Sequence, residues 1–150
     1  MQPHDRISVI SFDTNAFIKM RPHPVRKVKK ELPDLMSRIF AGGATALYDA
    51  IVLGYGQIEN PDNKTMMFVL TDGEDNSSKS NYNQVMELAK KFPNIQLHII
   101  HIGNDTSVSV GEYAKLCEQT RGEYKVVKEA ELETQFYLMV EVKLRLVRIV

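Results

Sequence analysis

Two short segments gather polar side chains at a spacing that could do chemistry: Gly42-Gly43-Ala44-Thr45 and Thr71-Asp72-Gly73-Glu74-Asp75-Asn76. Their side chains are hydroxyls, carboxylates and an amide, the hard oxygen donors that Mg²⁺ selects. Sulfur and imidazole chemistry has less support. Cys117 is the single cysteine, which excludes an intramolecular disulfide framework and a cysteine-rich zinc site and suits a reducing compartment. It falls in a helical pattern, where a free cysteine serves as a small buried hydrophobe. His98 and His101 stand three apart on an expected strand, so they point to opposite faces and cannot share a metal. No nucleophile, base and orienting group share a recognisable motif, and Gly54-Tyr55-Gly56 falls inside a helix and not in a strand-to-helix phosphate loop. The expectation is a binding protein and not an enzyme.

The elements that must position the two oxygen-rich segments follow from periodicity. Ile7 to Phe12 is short, apolar and β-branched, Asp13-Thr14-Asn15 is turn chemistry, and Ala16 to Met20 pairs back as a hairpin. Pro22 and Pro24 forbid helix there. Leu32, Leu35, Met36 and Ile39 then recur at helical spacing until Gly42-Gly43 stops the run. A second helix covers Ala46 to Ile58, with Leu47, Ala50, Ile51, Gly54 and Ile58 on one face. Thr65 to Leu70 and Ile95 to Ile102 are near-continuous apolar runs, as strands covered on both faces require. Between them Asn81 to Phe92 reads as helix, ended by Pro93. Val110 to Thr120 is helical, Tyr124 to Val127 is a short strand, and a helix begins at Glu129. This alternation predicts right-handed crossovers and a doubly wound α/β fold, a mostly parallel sheet with helices on both faces. Ligands bind such folds at the carboxyl ends of the strands, where both oxygen-rich segments fall. Residues 128–150 stay open: Val140, Val142, Leu144 and Leu146 alternate like a half-exposed strand, while Phe136, Met139, Val140, Lys143, Val147 and Val150 also fit a helix.

With 150 residues the chain is one domain's length, and 43% hydrophobic with 25% charged residues is an ordinary globular composition. Nineteen bases balance nineteen acids, so no global field draws it to nucleic acid or an anionic membrane. Arg21, Arg26, Lys27, Lys29 and Lys30 form a local basic run, read as a solvated helix start, with an acidic partner as the alternative. No apolar stretch reaches the ~18 residues that span a bilayer, and no secretory leader pattern opens the chain. Cytoplasmic location is the expectation.

Asp5 to Phe12, Gly42 to Ile51, Val69 to Asp75 and His101 to Asp105 resemble, in order, successive segments of a von Willebrand factor A domain. The resemblance covers about Asp5 to Val127. In that family a metal-ion-dependent adhesion site combines an Asp-x-Ser-x-Ser after the first strand, a threonine in a second loop, and the aspartate of a Thr-Asp-Gly turn. It implies Thr45 and Asp72 as metal ligands, with Ser77 and Ser78 on the rim, and a protein ligand whose carboxylate completes the metal shell. The first loop's aspartate and serines have no counterpart, since only Met-Gln-Pro-His precedes Asp5. The literal Asp105-Thr106-Ser107-Val108-Ser109 follows Ile99 to Asp105, which aligns with a later strand of the family and so places this loop away from the metal; its serines are read as caps of the helix that follows.

The resemblance therefore implies a single domain over residues 1–150, incomplete at its N-terminal side and without the family's central first strand. Two strands meant to stand about 10 Å apart, twice the ~4.8 Å spacing, must then close up or leave amides unpaired. Glu141, Lys143 and Arg145 make the tail a poor central strand. The expected function is protein binding through Thr45, Asp72, Glu74, Asp75 and Asn76, with Glu74 and Asp75 as a solvated acidic turn and Mg²⁺ held weakly or not at all. The alternative is a fragment of a larger protein that needs a donated strand or dimerisation. A nucleotide-binding domain is the remote reading, opposed by the lack of a glycine-rich phosphate loop.

Overall fold

A computed structural model of the chain describes residues 6–12, 15–28, 30–31, 46–71, 75–103, 109–132 and 134–135. The helix expected over Leu32 to Ile39, Thr45, Asp72 to Glu74, Asp105 to Val108 and the tail from Phe136 lie outside them. In chain order the elements are strands β1 (Arg6–Phe12) and β2 (Ala16–Pro24), the single-turn helix α1 (Val25–Val28), helix α2 (Leu47–Gly56), strand β3 (Thr65–Thr71), helix α3 (Tyr82–Lys91), strand β4 (Ile95–Ile102), helix α4 (Ser109–Gln119) and strand β5 (Tyr124–Val127). The helix expected from Glu129 begins as one 3-10 turn, Glu129–Glu131. No described helix is long and apolar enough to cross a membrane.

The α/β class holds: β3, β4 and β5 form a parallel sheet with β4 in the middle. The β4 sequence explains its place. Leu97, Ile99 and Ile100 are fully buried, each worth about 1.5–3 kcal/mol of apolar burial. On one face Ile95, Leu97 and Ile99 pack with Leu47, Ile51 and Tyr55 of α2, Val85 of α3, and Tyr113, Leu116 and Cys117 of α4. On the other, Ile100 and Val127 pack with Phe68, Leu70, Ile102 and Leu132. His98 and His101 are both buried and part as expected. His98 stacks on Phe68 and its Nδ1 accepts from the Glu123 amide, while His101 Nδ1 lies 3.0 Å from the Tyr124 hydroxyl. Because Nδ1 of His98 is an acceptor, its ring proton sits on Nε2. Burial pushes the Cys117 thiol up to about 12, which makes it inert filler at neutral pH.

The hairpin forms, and β2 runs four residues further than Met20, through Pro22 to Pro24. An edge strand tolerates proline because a missing amide on its outer side breaks no ladder. Among the described residues β1–β2 is a separate two-stranded sheet, and no ladder joins it to β3. Helix α2 bridges the two: it packs on β1, β2 and β3, and Gly54 faces Met67 of β3 and Ile10 of β1. Past the end of α2, Glu59 forms an ion pair with Arg6 at 3.0 Å. Both partners are about half exposed, so the pair adds little.

Candidate functional site

Helix α2 starts without a cap of its own. Ala46 occupies the N-cap position and makes no side-chain hydrogen bond, yet the first amides of a helix need acceptors. These come from the loop after β3. Asp75 Oδ2 accepts from the Tyr48 amide at 2.8 Å, and the Ser78 hydroxyl accepts from the Asp49 amide at 2.9 Å. Ser78 is itself held by Asp75, through its hydroxyl at 2.5 Å and its amide at 3.2 Å. Asp49 returns the support: its carboxylate accepts from the amides of Lys79 and Ser80 at 2.9 and 2.8 Å. Downstream, Asn81 and Gln84 form a capping box that starts α3.

Helix α4 joins the same cluster. The Tyr113 hydroxyl, on a fully buried ring, accepts from the Asp75 amide at 2.8 Å. The Tyr48 hydroxyl donates to Glu112 at 2.5 Å, and the Tyr48 and Tyr113 rings meet edge to face at 6.1 Å. Burial first, and the Glu112 carboxylate second, push the Tyr48 hydroxyl far above its ordinary value, so it remains a donor at any physiological pH. Three elements are thus locked together at the carboxyl end of the parallel sheet, where this fold class places its ligands.

Asp75 is therefore not a solvated acidic turn. Its carboxylate is half-buried and spent on three hydrogen bonds, one of them to an α2 amide that the Ala46 side chain cannot cap. Asn76 beside it is exposed and accepts from the Ser77 hydroxyl at 2.8 Å. Thr45, Asp72 and Glu74 lie outside the described residues, as do all but Ser109 of Asp105 to Ser109; Ser109 opens α4. Sequence reasoning placed Ser78 on the rim but missed Tyr48, Asp49, Glu112 and Tyr113. The acidic residue in the first turn of α2 was a visible signal; the tyrosines carried none.

The described residues do not make up an ion site. Asp75 and Asp49 are committed to amides, and Ser78 both donates and accepts, whereas Mg²⁺ asks for near-octahedral oxygen ligation. No group of three or more His, Cys, Asp or Glu able to hold a metal occurs among the described residues.

Asp49 carries a pH signature. Partial burial pushes its carboxyl up, but the Lys79 and Ser80 amides, the Ser80 hydroxyl and the Lys79 ammonium outweigh this and hold it below its ordinary value. A depressed carboxyl contributes stability above the unfolded value, near pH 4, and loses it as pH falls through the folded value. Asp49→Asn is expected to cost about 1 kcal/mol at pH 7 after solvent screening. That difference should shrink below about pH 4 in urea titrations. A penalty unchanged down to pH 2 would contradict the assignment.

A parallel α/β sheet with a loop-built face at its carboxyl end defines a domain of the doubly wound class. The family model of the von Willebrand factor type A domain matches residues 1–136, and the chain belongs to that family. Such domains generally mediate protein–protein interaction. Among solved structures the chain is similar to a von Willebrand factor type A protein from Catenulispora acidiphila, with TM-score 0.76 and 18% identity over 93% of this chain and 34% of the other. It thus spans about a third of that structure's length. It is also similar to the conserved hypothetical protein BatB from Bacteroides thetaiotaomicron, with TM-score 0.66 and 20% identity over 95% and 80%. A third likeness is to proximal thread matrix protein 1 from the mussel byssus, described with a zinc-occupied metal-ion-dependent adhesion site, with TM-score 0.67 and 16% identity over 92% and 34%. At these identities the likeness shows the fold alone. No curated protein matches.

Proposed function

We propose that this domain is a protein-interaction module whose binding surface is the loop face of Thr45, Asp72, Glu74, Asp75 and Asn76, with a cation held weakly or not at all. The observation that carries the reading is the Asp75 cluster. It ties the loop after β3 to the starts of α2 and α4, and a preorganised loop face loses less entropy when a partner binds. Within it Asp75 positions backbone and Asn76 is the exposed contact. The weak-metal part rests on the ligand count. With Asp75 committed, Thr45 and Asp72 supply one hydroxyl and one carboxylate, and water must fill the remaining positions. The partner is a protein, in a reducing compartment such as the cytoplasm. Asp72→Ala should abolish retention of the partner from native extract, equally with Mg²⁺ and with chelator. Calorimetry should show no stoichiometric Mg²⁺ uptake at micromolar concentrations, and tight one-to-one uptake would sink the weak-site reading.

A second reading has its own observation. The two sheets lie under one helix without a ladder between them among the described residues, so the edges of β1 and β3 are suited to pair with an inserted strand. We propose that such a strand comes from another part of a longer protein or from a second copy. Sedimentation of the chain reads this directly. A concentration-dependent dimer supports it, and a monomer with cooperative two-state unfolding at every concentration counts against it.

A further inference from the structure

From Thr14 to Lys30 the sequence carries six lysines and arginines and no aspartate or glutamate. Because the whole chain is neutral, the remainder holds six more acids than bases. The structure turns the first part of that run into a surface. Along β2 exposure alternates: Phe17, Lys19, Arg21 and His23 face solvent, while Ala16, Ile18, Met20, Pro22 and Pro24 are half-buried. The charge continues beyond the strand in Arg26, Lys27 and Lys30, all exposed. Among the described residues none of these cations has an acidic partner within ion-pair distance.

Lysine and proline on an edge strand commonly serve to block unwanted strand pairing. That device explains Lys19 and the prolines but not Phe17. Phe17 is 47% exposed, the sole exposed large hydrophobic among the described residues, with the Lys19 ammonium 5.6 Å from its ring centroid. An exposed aromatic beside uncompensated cations is the composition of a recognition surface.

We propose that the exposed face of β2 docks an acidic, extended segment of a partner protein, with carboxylates at alternate residues and an apolar residue at one end. Same-face residues along a strand are about 6.6 Å apart, so a strand laid beside β2 sets alternate carboxylates across from Lys19 and Arg21 as cross-strand pairs. The apolar residue covers Phe17. Pro22 and Pro24 remove amide donors, which confines main-chain pairing to Ala16 to Arg21. A single stripe on an edge strand suits an extended peptide better than a lipid surface or a nucleic acid, which draw on broad basic fields. None of these residues belongs to the loop face, so this site stands independently of that reading.

The test is fluorescence anisotropy of the full chain with a labelled peptide of alternating glutamate and threonine ending in leucine. A peptide of the same composition with its glutamates in one block is the control. The alternating peptide should bind about tenfold more tightly, and Lys19→Glu with Arg21→Glu should weaken it about tenfold or more. Phe17→Ala should weaken it about threefold. Circular dichroism checks folding, and Lys19→Gln with Arg21→Gln replaces the reversal if that variant does not fold. Equal binding of both peptides, no binding at millimolar peptide, or tighter binding of phosphatidylserine vesicles or an oligouridine would overturn the proposal.

Discussion

Gly122→Ala is expected to cost the domain on the order of 4 kcal/mol, the largest effect of an added methyl among the described glycines. A Cβ at Gly122 would stand 1.7 Å from the carbonyl oxygen of Leu97, a backbone atom of the central strand that cannot rotate away. The close approach is set by how α4 ends. The Gly122 amide bonds to Cys117 O at 2.8 Å and the Arg121 amide to Glu118 O at 3.0 Å, the paired bonds of a Schellman motif. Arg121 takes the left-handed position at φ 60°, and Gly122 comes next, pressed on β4. Thr120 completes the junction: its hydroxyl accepts from the Leu97 amide at 2.9 Å and donates to Cys117 O. Urea unfolding checks the effect, with Arg121→Gly as the control expected to be neutral or stabilising by up to about 1 kcal/mol. A Gly122→Ala penalty below about 1 kcal/mol would mean that the turn is looser than described.

Asp75→Ala is the second large effect, expected to cost about 2 kcal/mol and to abolish partner binding at the loop face. The substitution leaves the Tyr48 amide at the start of α2 and the Ser78 amide and hydroxyl without their acceptor. Hydrogen bonds to a charged group are worth about 1.5–3 kcal/mol, reduced here because Asp75 is half-buried. Asp75→Asn keeps one oxygen and should recover about half of the loss. Thermal unfolding reads the stability. Binding should fall with both variants if Asp75 shapes the face, whereas full binding by a destabilised Asp75→Ala would separate the cluster from function.

Much of this was legible in the residues. The apolar runs at β3 and β4 announced a parallel sheet, and the glycine, proline and asparagine breaks set α2, α3 and α4 within about a residue or two at their ends. β2 was read too short, because proline signals the end of a strand only when both edges are paired. Asp75 was misread because the rule applied to it was local. An acid in a polar turn is usually solvated, but its partners Tyr48 and Tyr113 lie 27 and 38 residues away, and periodicity does not report such pairings. Gly122 was invisible for a related reason. A glycine after a helix suggests the left-handed position, which Arg121 occupies, and only the docked strand shows what the missing side chain makes room for.

The most direct measurement is site-specific photo-crosslinking in cells that make the protein, with the probe placed at Asn76 or, as control, at Lys64, ahead of β3 at the opposite end of the parallel sheet. Both positions are exposed. The account predicts a discrete heteromeric product from Asn76, unaltered when divalent ions are chelated, and none from Lys64. Crosslinks from Lys64 alone, equal yields from both positions, or a product from Asn76 that vanishes with chelator would contradict a metal-independent binding surface on the loop face.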